Sequence, residues 1–95
     1  MPAYMVVQIK VTDPDKFARY REVVPRVVEA FGGRYIVRGA TVEVLEGSHD
    51  GRRFVLFEFP SMDAIRTFWH SSEYADVKAL RENAADIDVW AVPGV

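Results

Sequence analysis

The stretch from Arg52 to Phe59 constrains this chain most, because it reads as a strand with no polar side to offer to water. Phe54, Leu56 and Glu58 alternate with Val55, Phe57 and Phe59, and successive residues of a strand point to opposite faces. Either set can join a core, and whichever does so leaves a largely apolar set on the other face. A sheet built around such a strand needs cover on both sides.

The hydrophobic period then fixes the order of elements. Tyr4 to Val11 is a first strand, with Met5, Val7, Ile9 and Val11 on one face and Tyr4, Val6, Gln8 and Lys10 on the other. A helix begins at Asp13-Pro14. Either Asp13 caps it with Pro14 at the first helical position, or Thr12 and Asp15 form a capping box. Phe17, Tyr20, Val24, Val27, Val28 and Phe31 form one helical face. Pro25 predicts a kink near Arg21 to Pro25, and Gly32-Gly33 ends the helix.

Two short strands, Arg34 to Arg38 and Val42 to Glu46, are broken at Gly39-Ala40 and lead into the turn-rich Gly47 to Gly51. Pro60 ends the strong strand. Ser61 and Asp63 open a helix carrying Ala64, Ile65, Phe68 and Trp69, which Ser71-Ser72 interrupts before a shorter helix, Glu73 to Arg81. Ala85 to Val92 is the last strand. With the two middle strands counted as one hairpin arm and its extension, the order is β-α-β-β-α-β. The expected class is α+β: one ferredoxin-like domain over residues 1–95, an antiparallel sheet with its helices on one face.

The face away from the helices adds Tyr4, Val6, Trp90 and Val92 to the apolar surface of the strong strand. A chain of 95 residues buries only about 60–65% of its unfolded surface and gains from further burial. Without cysteine it has no disulfide to add. Two sheets packed face to face would cover each other, which predicts a homodimer. A net charge of −2 argues against a phosphate-binding surface. RNA-recognition modules share this element order, and Phe54-Val55-Leu56-Phe57 fits the end of their signature strand. Asp50, Arg52 and Arg53 stand where basic, aromatic and small residues belong, so no nucleic-acid partner is expected. The longest charge-free run, Met1 to Ile9, is too short to span a bilayer. No membrane association and a cytoplasmic location are expected.

Gln8, Lys10, Arg38, Glu58 and Asp88 alternate onto or near the second face, depending on register. Charges held between two sheets need partners or a ligand, because desolvating them unpaired is costly. Glu58 is the leading acid/base candidate, since an aromatic strand would desolvate it and raise its pKa. If it faces Arg38, the two form a structural ion pair. His70, beside Trp69 at a helix end, is a candidate general base or haem ligand, or a residue whose charge favours a helix C-terminus. Trp69 and Tyr74 line a pocket or fill the core. His49 is a solvated turn residue. The two histidines have no metal-ligand spacing, so neither a metal nor another cofactor is expected.

Two segments resemble a known family. Gly32-Gly33-Arg34-Tyr35-Ile36-Val37-Arg38-Gly39, running on to Leu45-Glu46-Gly47, is similar to the glycine-pair and Arg-Gly region of the domain of unknown function 1330 family. Phe57-Glu58-Phe59-Pro60-Ser61, Phe68-Trp69-His70-Ser71-Ser72-Glu73-Tyr74 and Leu80-Arg81 resemble its second half. Asp13-Pro14 and Tyr20 fit as well. Ala40 stands where a second glycine is common, and Ser72 where proline is common. The resemblance implies the dimeric α+β barrel superfamily, whose members include cofactor-free monooxygenases, haem-degrading enzymes and muconolactone isomerases. It supplies no activity of its own.

Two functional expectations follow. In one, a largely apolar cleft takes a small organic molecule without a bound cofactor. Arg38 anchors an anionic group, Glu58 acts as acid/base, and Trp69, His70 and Tyr74 line the wall. In the other, the mixed face serves only dimerisation, as a structural or interaction domain.

Overall fold

The computed structural model describes all residues 1–95. Its elements are β1 (Ala3–Val11), α1 (Pro14–Ala30), β2 (Arg34–Ala40), β3 (Arg53–Phe59), α2 (Met62–Trp69), α3 (Ser72–Ala79) and β4 (Ala85–Pro93). The strands form one antiparallel sheet in the order β2-β3-β1-β4. This is the expected β-α-β-β-α-β plan with the second helix in two pieces. No helix is long and apolar enough to cross a membrane.

Local chemistry sets the helix boundaries. At α1 the structure selects Asp13 over the capping box: its side chain accepts from the Lys16 N–H, and Pro14 occupies the first helical position, where a missing N–H does no harm. Ser61 and Ser71 cap α2 and α3 in the same way, accepting from Ala64 and Tyr74 N–H. Helix α1 continues through Pro25 to Ala30. It closes where Gly32 takes φ +85° and Gly33 donates back to the Val28 carbonyl at 2.9 Å. Gly33 also lies under Phe59, where a Cβ would meet the ring at 2.7 Å, so no larger residue fits that crossing.

The core is a single cluster between helices and sheet. Met5, Val7 and Ile9 of β1 and Phe57 and Phe59 of β3 meet Phe17, Val24 and Val28 of α1, Ile65 and Phe68 of α2, and Tyr74 and Val77 of α3. Tyr20, Val27 and Phe31 pack against it, which completes the helical face read from the sequence. Phe68 is the hub: fully buried, its ring lies 4.4 Å from Tyr74, 5.4 Å from Phe59 and 5.9 Å from Phe31.

The expected strand at Val42 to Glu46 does not form. Ala40 pairs with Phe54, leaving only Arg53 of β3 ahead, and the other edge of β3 is taken by β1. Val42 and Val44 alternate with Glu43 but have no strand to pair with, and together with Leu45 they lie exposed. Period-two alternation is a strand signal only where a free edge is in reach.

Phe68→Ala removes the shared contact of three rings and leaves a cavity. It is expected to destabilise the fold by about 3–5 kcal/mol, read as a shifted midpoint in urea unfolding. A loss under about 1 kcal/mol would show that the neighbouring rings collapse into the space.

Candidate functional site

The site is set by irregularities in β2. Arg34 pairs with Glu58 and Tyr35 with Phe57, but Val37 then pairs with Leu56 and Arg38 with Val55. Ile36 is therefore an extra residue, and everything after it changes face. A second irregularity at Gly39, at φ +74°, precedes the Ala40–Phe54 pair. Tyr35 and Arg38 thus share the helix side with Met5, Val7, Val55 and Phe57. Arg34 and Val37 go to the open side with Tyr4, Val6, Leu56 and Glu58.

On the helix side lies a cleft of about 820 Å³. Val7, Val24, Val55, Ile87 and Val89 supply apolar walls, with Phe17, Tyr20, Tyr35, Trp69 and Tyr74 as the aromatic ones. Arg38 stacks over the Tyr35 ring at 4.4 Å, and that ring lies 4.4 Å from Phe57. Burial raises the pKa of Tyr35, and the Arg38 charge opposes it. Lys10, Arg21, Arg38 and Arg53 also line the cleft, and none of them forms an ion pair. Its one acid, Asp50, accepts from the backbone and side chain of Arg52, which hold its carboxyl below the usual range. The cleft therefore carries uncompensated positive charge beside an apolar interior, the combination that suits an apolar molecule with an anionic end.

The structure brings Arg38, Trp69 and Tyr74 together in this cleft and leaves the two acid/base candidates outside it. Glu58 lies on the open face, where Arg34, not Arg38, is its partner. Arg34 donates through Nε at 3.0 Å and Nη2 at 2.8 Å, and the Tyr4 hydroxyl donates at 3.2 Å. The expected rise in its pKa is reversed. The Arg34 bonds hold the carboxyl below the usual range against the opposing effect of burial, and Tyr4 adds to them. His70 is the exposed C-cap of α2, donating its backbone N–H to the Arg66 carbonyl. It borders a smaller cleft of about 320 Å³ with Met62, Ile65, Trp69 and Trp90.

His49 is not a free turn residue either. Its Nδ1 accepts from the Gly51 N–H at 3.0 Å, and its Nε2 lies 2.7 Å from Gln8 Oε1. With Nδ1 accepting, the proton sits on Nε2 and donates to Gln8. Beside it Arg52 bonds Asp50 and Asp88, so the loop is fastened across the open face of β1 and β4.

Sequence reasoning missed Arg21, Tyr35 and Arg53 as cleft residues and took Tyr20 only as core. Tyr20 carried a usable signal, a polar tip within the otherwise apolar stripe of α1. Tyr35 carried none, because only the β2 bulge brings it to the helix side together with Arg38.

Comparison with known proteins agrees with this fold. Residues 2–95 match the family model described as a domain of unknown function, DUF1330. No curated protein matches the sequence. A protein of unknown function from Rhodopseudomonas palustris superposes with a TM-score of 0.73 at 21% identity, over 99% of this chain and 82% of that one. An Arabidopsis thaliana protein gives 0.68 at 16% identity, over 99% and 88%. SnoaB, a cofactor-independent oxygenase from Streptomyces nogalater, gives 0.62 at 14% identity, over 99% and 93%. At these identities the likeness is one of fold, the ferredoxin-like α+β plan.

The Arg34–Glu58 pair carries a pH signature. A carboxyl depressed in the folded state contributes stability that is present at neutral pH and lost as pH falls from about 4.3 through the lower folded value. The stability gap between the protein and Glu58→Gln is expected to be widest near neutrality and to close on acidification, measured by denaturant unfolding. A gap independent of pH would show that the pair contributes nothing through its charge.

Proposed function

The chain belongs to the DUF1330 family, and on that premise we propose that it is a homodimer in which each helix-side cleft binds a small, largely apolar organic molecule with an anionic group. The observation that carries the reading is Arg38, unpaired at the mouth of an apolar cleft of about 820 Å³. Its planar fork suits bidentate contact with a carboxylate, and Tyr35 beneath it fixes its plane. Trp69 and Tyr74 form the aromatic wall against which the apolar body rests. Binding or transformation without a bound cofactor is part of the proposal, and the similarly folded SnoaB, a cofactor-independent oxygenase, supports it.

The dimer rests on the open face of the sheet. Trp90 and Val92 are 46% and 45% exposed there, and Tyr4, Val6, Phe54 and Leu56 are half-buried. Val6 pairs with Leu56 on one side and Trp90 on the other, so these three make an apolar band across β3, β1 and β4. The central charges of this face are paired, Arg34 with Glu58 and Arg52 with Asp88, while Lys10 and Asp86 lie opposite each other and exposed at its end. That observation favours association alone as the role of the open face, and in this reading Glu58 belongs to the interface. A second reading, a dimeric interaction domain without a ligand, is what remains if the cleft binds nothing.

Two outcomes test this. Native mass spectrometry is expected to show twice the 10.8 kDa chain mass, and Leu56→Glu, which sets a charge in the apolar band, to return the monomer. A wild-type monomer at micromolar concentration would refute the dimer. For the cleft, calorimetric titration with 2-naphthoate is expected to show binding that Arg38→Met weakens about tenfold or more, while binding of its uncharged methyl ester is unchanged. Equal losses for both would remove Arg38 as the anion anchor.

A further inference from the structure

At the aromatic wall of the cleft, three side chains from separate parts of the chain form a polar cluster with no role so far. Tyr20 of α1 and Tyr74 of α3 both line the cleft, and their hydroxyls are 3.0 Å apart. Arg81, just beyond α3, reaches Tyr74 Oη with Nη2 at 3.4 Å, and its guanidinium lies 5.5 Å from the centre of the Tyr20 ring. Arg81 does not line the cleft, forms no ion pair, and buries its Nε without a hydrogen-bond partner. Tyr74 is only 2% exposed. Burial, reinforced by the adjacent Tyr74, holds the Tyr20 hydroxyl protonated far above the usual phenol range.

The proton count gives the cluster a direction. Two hydroxyls carry two protons, and the bond between them uses one. Arg81 supplies donors only, so the remaining hydroxyl proton has no acceptor in the protein. Two neutral phenols, backed by a cation without a counter-charge, make a donor site whose natural complement is an oxygen bearing negative charge.

We infer that the Tyr20–Tyr74 hydroxyl pair, backed by Arg81, is a hydrogen-bond site for an ionised oxygen, so that the cleft selects molecules with an acidic phenol or enol and holds them as phenolate or enolate. The inference rests on the cleft reading above and adds the ligand class. An oxygen at the tyrosine pair and an anionic group at Arg38 would be held at two points with the apolar body between them. Tyr20 and Tyr74 touch the ligand, while Arg81 is a positioning residue that acts through Tyr74.

The probe is 4-nitrophenol, whose neutral and ionised forms absorb at different wavelengths and which titrates near neutrality. Bound to the protein, it is expected to titrate at least about one pH unit below its value in water, a tenfold preference for the phenolate. Lys10, Arg21, Arg38, Arg52 and Arg53 also line the cleft, with Asp50 against them, and cations alone would favour the ionised form. Tyr20→Phe and Tyr74→Phe leave every one of these charges in place, so they isolate the hydroxyls. Each is expected to remove most of the shift, with an unchanged circular-dichroism spectrum and urea midpoint to show that the variant is folded. Arg81→Met should reduce the shift, and Arg81→Lys should restore part of it.

A bound probe that titrates as in water, or a shift that survives both tyrosine variants, would overturn the inference and leave the cleft reading intact. Binding of 2-naphthoate without binding of 4-nitrophenol would do the same. If neither compound binds, the cleft reading fails and the inference falls with it.

Discussion

The register between β2 and β3 decides what each face of this sheet can do. A strand without irregularity would send Arg34, Ile36 and Arg38 to one side, stacking two guanidinium groups beside Glu58. The extra residue at Ile36 instead sends Arg34 to the open face and Arg38 to the cleft. One inserted residue therefore separates a charge that is paired from one that is not. Gly39 sustains the arrangement, since its φ of +74° is one that a residue with a Cβ adopts only under strain.

The separation extends across the whole sheet. On the open side the central charges come in pairs: Arg34 with Glu58, and Arg52 with Asp88. Paired, they can be enclosed at modest cost, whereas a lone charge between two sheets would be strongly destabilising. On the helix side Arg21, Arg38 and Arg53 line the cleft without carboxylate partners. The first face has the character of a surface to be covered, and the second that of a surface to be filled by an anion.

Much of the fold was legible because periodicity and caps agreed. The α1 stripe from Phe17 to Phe31, the caps Asp13 and Ser61, the Gly32-Gly33 stop and the two-sided strand β3 all follow from local chemistry that tertiary contacts do not override. What was not legible depended on pairing partners. Val42 to Glu46 carries strand alternation, but β3 has no length left for it to pair with. Glu58 looked like a desolvated acid because its neighbours in sequence are aromatic. Its neighbours in space are Arg34 and Tyr4, which lower its pKa. Arg38, Trp69 and Tyr74 were found by residue type and do meet in one cleft, whereas the meeting of Tyr20, Tyr74 and Arg81 depends on the packing of α1 against α3.

The two faces are also linked through stability. A cleft of about 820 Å³ in a domain this small is volume that the core does not fill, and unfilled apolar volume weakens a fold. The strands that floor the cleft with Met5, Val7 and Val55 carry Val6 and Leu56 on their opposite side. Covering that opposite side with a second copy would bury further apolar area on these same strands, offsetting what the cleft leaves out. It would also stiffen the floor against which a ligand rests. In this arrangement the proposed dimer needs no residue in the site to support binding. Its contribution is to let a chain of 95 residues keep an open cleft and remain folded.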